Sequence, residues 1–239
     1  MTPPSLQAPT DRRQPLADAM VALSATPDDV PEIGEQLHRV ALLAADRVAV
    51  ADYAAVCSRP DNGCSIVATS AELVDAVDDA SVSGHGTVPS SPPQHCGAAS
   101  TIAWPHFRQA AAGMGLGVVS VPLFVGSGTT IATLDLYGRD SAAFAPLTVG
   151  ISAAYDPDLL APDEHEDLPA LDSGSVELLT GFAEALSVRA TIRLAIAVIM
   201  RASAVGADEA YLRLRLEAAG AGIGLLAAAN SVIGRSLTG

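Results

Sequence analysis

Three histidines and a cysteine, His85, His95, Cys96 and His106, fall near one another and carry the imidazole and thiolate donors that zinc prefers. Their steps of ten and eleven residues match no compact ligand pattern, so they read as loop side chains and predict no metal site. Cys96 is kept as a thiol that could touch a small ligand. Gly113-Met-Gly-Leu-Gly117 has the glycine density of a phosphate loop, but it follows a helical stretch and precedes a strand. A dinucleotide loop needs the reverse order, so that the phosphate meets a helix N-terminus. No Gly-x-Ser-x-Gly elbow is present, and no pair of carboxylates stands with a legible partner. The expectation is a non-enzyme that needs no cofactor. Guanidinium is the remaining chemistry. Arg189, Arg193, Arg201, Arg213 and Arg215 lie in the last quarter of the chain among residues of helical period. Together they cluster the basic residues in the tail of the chain.

Charge sharpens that reading. The 239 residues carry a formal charge of −14, whose field repels a polyphosphate. Residues 176–239 hold six arginines against five acids, a net of +1, which leaves −15 on the remainder. The acid belongs to the first part of the chain and the positive charge to the tail. The three cysteines, Cys57, Cys64 and Cys96, form no Cys-x-x-Cys pair, and a chain of this length needs no disulfide scaffold. Met1 to Gln14 is Pro-rich and polar, reads as a disordered arm, and lacks the apolar core of a signal peptide. Leu194 to Met200, the strongest apolar run of the tail, is far short of the roughly 20 residues that span a bilayer. A soluble cytoplasmic protein is expected.

These side chains need elements to hold them. Apolar residues recur at helical steps over Leu16–Leu23 and again as Ile33, Leu37, Val40, Ala44 and Val48, with Pro31 at the opening of the second helix. Tyr53–Cys57 and Cys64–Ala68 read as paired strands around Asn62-Gly63, and Gly117–Val125 and Thr130–Tyr137 as a second hairpin around Gly126-Ser-Gly128. Helices are expected over Ala71–Ala80 and Pro105–Ala112, with a long Gly-, Ser- and Pro-rich loop from Ser81 to Ser100 between them. This order predicts an α+β domain with an antiparallel sheet over residues 15–145. Tyr53, Trp104, Phe107, Val119, Val121 and Leu134, with Cys96, either pack as its core or line a small-molecule pocket. Residues 146–175, with Asp163-Glu-His-Glu-Asp167, read as an acidic linker or insertion.

From Val176 the helical period returns through Leu178, Phe182, Ala185, Arg189, Ile192, Ala195 and Ile199. One helix of about 28 residues, roughly 40 Å, is predicted to Ser203, with Gly206 as its C-terminal stop. A helix that long leans on a partner, either its own copy in a homodimer or the sheet. Asp208-Glu209 open a second helix, Gly220 and Gly222 end it, and Leu225–Ile233 forms a third.

The tail, through Ala195, Met200, Asp208-Glu-Ala210, Leu214-Arg215 and Ala218, resembles an ANTAR module, the RNA-binding unit of bacterial antitermination regulators. It departs from the family where Ala195-Ile-Ala-Val-Ile-Met200 lacks a glycine and a polar or basic residue, and where Ala221–Asn230 carries no charge. Residues from Trp104 onward, namely Trp-Pro-His-Phe107, Ala110-Ala-Ala-Gly-Met-Gly115, Ser120-Val-Pro-Leu123, Ala132-Thr-Leu-Asp-Leu-Tyr137 and Phe144, are similar to a GAF sensor domain. The two resemblances imply a GAF-like antiparallel sheet with flanking helices, then a long helix and a C-terminal three-helix ANTAR-like module over 176–239. They further imply a dimeric regulator in which a small-molecule or protein signal controls binding to an RNA hairpin, with Arg189, Arg193, Arg201, Arg213 and Arg215 as the RNA-binding residues that grip the phosphates and splayed bases of its loop. The alternative is a dimeric signalling subunit whose degenerate module no longer touches RNA.

Overall fold

A computed structural model describes residues 14–58, 65–69, 94–95, 102–103, 115–155 and 170–238. Helices α1 (Pro15–Ser24) and α2 (Ile33–Arg47) precede strands β1 (Tyr53–Ser58) and β2 (Ser65–Thr69). Two short strands follow, β3 (Gln94–His95) and β4 (Ile102–Ala103), then the long hairpin of β5 (Gly117–Phe124) and β6 (Thr130–Gly138). Four helices follow among the described residues, α3 (Ala145–Tyr155), α4 (Ser173–Ser203), α5 (Ala207–Ala221) and α6 (Leu225–Thr238). The protein is thus α+β, with one antiparallel sheet in the order β3-β4-β2-β1-β6-β5. The expected helices over 71–80 and 105–112, the Asn62-Gly63 turn and residues 1–13 of the arm read over 1–14 lie outside the described residues.

Alternation along the strands decides what each face of the sheet meets. Val121, Leu134 and Val56 lie in register across three strands, and Val119, Leu136 and Ala54 form the next row. All six are buried in one core with Leu16, Met20 and Leu23 of α1, Leu37, Val40 and Ala44 of α2, and Leu178, Phe182 and Ala185 of α4. The period-3.6 stripe of α2 is the face that closes on the sheet.

Helix α4 continues beyond this core. Its second half supplies Val188, Ile192, Ala195 and Ile196 to a separate core with Ala210, Leu214 and Ala218 of α5 and Leu225, Ala228, Ala229 and Val232 of α6. At 31 residues, about 46 Å, α4 is long enough to serve as the spine of both. Asp172 caps it, accepting hydrogen bonds from the Gly174 and Ser175 amides at 2.8 and 3.0 Å.

Three local features differ from the sequence reading. Helix α3 begins the stretch read as an acidic linker or insertion. Leu147 and Ile151 are buried on it, and Phe182 meets Tyr155 edge-on at 5.3 Å. The steps 147, 151 and 154 are helical, but they are interrupted by Gly150, where an added Cβ would lie 2.5 Å from Leu179 and which therefore marks a close approach of α3 to α4. Strand β3 falls within the stretch read as loop. The long helix ends at Ala204, in the left-handed region at φ 53°, whereas Gly206 has extended backbone and caps the start of α5. Gly222, at φ 64°, ends α5 as expected, Gly220 is an ordinary residue of that helix, and α6 runs past Gly234 to Thr238.

Candidate functional site

The candidate arginines occupy three different environments. Arg189 turns inward: its Nε donates to the Gly128 carbonyl at 2.7 Å and its guanidinium lies 4.6 Å above the Phe124 ring. Gly128, at φ 78° in the β5–β6 turn, is where this approach occurs. A Cβ there would lie 2.9 Å from the Arg193 stem and 3.2 Å from that of Arg189. Arg189 is a strut between α4 and the sheet domain rather than a displayed cation. Arg193 and Arg201 are exposed, and among the described residues they make no hydrogen bond or ion pair. Arg201 stands in the last turn of α4, where the macrodipole favours positive charge.

On α5 the two arginines point apart, because positions i and i+2 do not share a helical face. Arg213 pairs with Glu209 at 2.6 Å on the solvent side. Arg215 faces the sheet domain, its Nη2 lying 2.6 and 2.8 Å from the two carboxylate oxygens of Asp29 in the α1–α2 loop. Beside it the Tyr211 hydroxyl donates to Asp28 at 2.9 Å, and the same Asp28 oxygen accepts the Ser127 amide of the β5–β6 turn at 2.8 Å. The Gly126 amide donates to the Thr26 carbonyl at 2.7 Å. A Cβ on Gly126 would come within 2.6 Å of Leu225 and 3.0 Å of the Tyr211 hydroxyl oxygen. Module and sheet domain therefore meet along a tight polar seam made from the 26–29 loop, the 126–129 turn, and one face each of α4, α5 and α6.

The seam's electrostatics follow from these contacts. Its hydrogen bond from Arg215 holds the Asp29 carboxyl below the usual carboxylate range, and the same bond raises the Arg215 guanidinium. Burial, then the Asp28 carboxylate, push the Tyr211 hydroxyl well above its ordinary value, so it remains a proton donor. Arg235, which the sequence reading did not single out, pairs with Glu217 at 2.6 Å and staples α6 to α5.

The residues considered for a sensor pocket separate onto opposite faces of the sheet. Val119, Val121 and Leu134 belong to the core beneath α1, α2 and α4, so they pack instead of lining a pocket with Tyr53. Tyr53 lies on the other face, where its hydroxyl accepts from Arg139 Nη2 at 3.0 Å. Cys96, Trp104 and Phe107 lie outside the described residues, as do His85 and His106. The Tyr53 face also carries Ala55 and Cys57 of β1 and, across from them, Tyr137, Asp135 and Thr133 of β6. Asp135 is fully buried, with the Tyr137 hydroxyl 3.4 Å from its Oδ2. This polar floor was not singled out from the sequence, although an aspartate inside the apolar run Ile131–Tyr137 was the sign of it, since a buried carboxylate requires partners.

No family model, curated protein or solved structure matches the chain. Among the described residues no single helix is long and apolar enough to cross a membrane.

Proposed function

We propose that this protein is a signal-responsive, RNA-binding regulator of transcription antitermination, with a GAF-like sheet domain controlling an ANTAR-like helical module. The observation that carries the reading is the division of α4 between two cores, one closed by the sheet and the other by a three-helix unit of net positive charge. Arg193, Arg201 and Arg213 are exposed on that unit, and Arg215 lies at its seam with the sheet domain. In this reading they contact the phosphates of an RNA hairpin, and the sheet domain is where the signal is sensed. The functional form is a homodimer along α4, where Val176, Ala183, Ser187, Ala190, Leu194 and Ala197 leave an exposed, largely apolar stripe at steps close to a coiled-coil seam.

The test is binding to a short hairpin RNA with a six-nucleotide loop across a salt series, beside an Arg213→Ala/Arg215→Ala double variant. Saturable binding is expected, and the variant should flatten the log–log salt slope by about one unit per lost phosphate contact. The exposed Leu212, Leu216 and Ile223 favour a second reading, a protein-binding dimeric signalling subunit. A folded protein that ignores the hairpin at low salt would leave that second reading in place of the first.

A further inference from the structure

Among the described residues, two neighbouring acids on one loop, Asp28 and Asp29, bond to the module. They engage Tyr211 and Arg215, the polar and cationic groups of a single face of α5. Two adjacent carboxylates presented to a guanidinium and a hydroxyl offer what an RNA backbone offers, paired anionic oxygens. The hold is built to be reversible. The Arg215 and Asp29 side chains are 30% and 63% exposed, so water and salt screen the pair. The loop is also wired to the sheet, since the Asp28 oxygen that receives Tyr211 receives the Ser127 amide too, and Arg189 reaches Gly128 in the same turn. That turn joins β5 to β6, the strand carrying Asp135 and Tyr137.

We infer that Asp28 and Asp29 form an intramolecular stand-in for RNA phosphate, clasping the Tyr211–Arg215 face of α5 against the sheet domain until RNA, or a shift of the β5–β6 turn, displaces them. The inference rests on the RNA-binding reading above and adds its regulation. While the clasp is closed, Arg215 is withheld from any external anion. Apparent RNA affinity is therefore reduced by the fraction of molecules with the clasp open. A signal felt on the sheet and carried by the β5–β6 hairpin reaches Asp28 directly, without a long relay.

The experiment uses the full chain and Asp29→Asn, which keeps the shape of the side chain, removes its charge and leaves the Asp28–Ser127 bond in place. Hydrogen exchange over residues 207–221 reports opening of the clasp, and titration with the six-nucleotide-loop hairpin reports RNA affinity. Loss of a partly exposed ion pair should raise both by a similar factor, about three- to fivefold. Matching increases support the clasp. Wild type and variant binding the hairpin equally would overturn the clasp alone and leave the RNA reading standing. Faster exchange with no hairpin bound by either protein would remove the RNA reading, and the clasp's regulatory role with it. Unchanged exchange would show that Asp29 holds nothing shut.

Discussion

Glu177 of α4 ties together the start of α1 and the end of α2. Its side chain is 6% exposed, yet both oxygens are used: Oε1 accepts the Leu16 amide at the start of α1 at 2.7 Å, and Oε2 meets Arg47 at the end of α2 at 3.1 Å. A carboxylate facing the first turn of α1 also opposes the positive end of that helix dipole. Glu177→Ala strands a buried amide and removes the partner of a half-exposed guanidinium. It should cost about 2–3 kcal/mol, less than a fully buried pair because water can reach Arg47. Urea unfolding checks this, and a loss under 1 kcal/mol would show that solvent already satisfies these groups. From sequence, Glu177 is one acid in a helical run, and its partners lie 130 and 161 residues away. The same distance hid the role of Arg215, whose type was legible and whose partner was not. Arg213, by contrast, pairs locally at i,i+4, and that pairing was readable from spacing alone.

At the scale of elements, legibility followed periodicity. The residues Ile33, Leu37, Val40 and Ala44 predict α2 and the face it buries, and the two runs around Gly126-Ser-Gly128 predict the β5–β6 hairpin, because in both the pattern and the burial share one period. Helix α3 was obscured because its apolar steps are diluted by Thr148, Gly150 and Ser152 and followed by a run of acids. Helix α4 was legible in length, while its double duty was not, since one unbroken stripe serves two cores. Its opposite face supplies the test of assembly. Leu194 is 52% exposed toward the C-terminal end of the stripe assigned to the dimer, and it faces solvent here. Leu194→Glu places two like charges together in a homodimer seam and leaves either core of the monomer untouched. Sedimentation equilibrium should show association weakened at least tenfold, toward monomer, with the circular dichroism of the folded chain unchanged. A variant that associates as the wild type does would overturn this face as the dimer seam.

Over the whole molecule, the carboxylates that hydrogen bonds hold low set how stability responds as pH falls. Between pH 7 and about 5 stability should hold, because ordinary carboxylates stay ionised there. Asp172 feels desolvation, which raises its pKa, but hydrogen bonds from Ser175, Ala49 and Gly174 outweigh that and leave it below its ordinary value of 3.8. The Arg215 hydrogen bond does the same for Asp29 at the seam. A carboxylate whose folded pKa is depressed adds stability that is present above its unfolded pKa and is lost as pH falls through the folded one. The loss therefore begins near 3.8 and deepens below it, at the cap of the spine helix and at the seam together. Thermal melting between pH 7 and 2.5 should trace a plateau and then a steep acid limb below about 4. Asp172→Asn, which keeps a capping oxygen and cannot titrate, should melt lower than wild type at neutral pH and converge with it at the acid end. Curves that stay parallel through the acid limb would show that Asp172 titrates alike in folded and unfolded chains, and that the cap of the spine helix is no part of the acid transition.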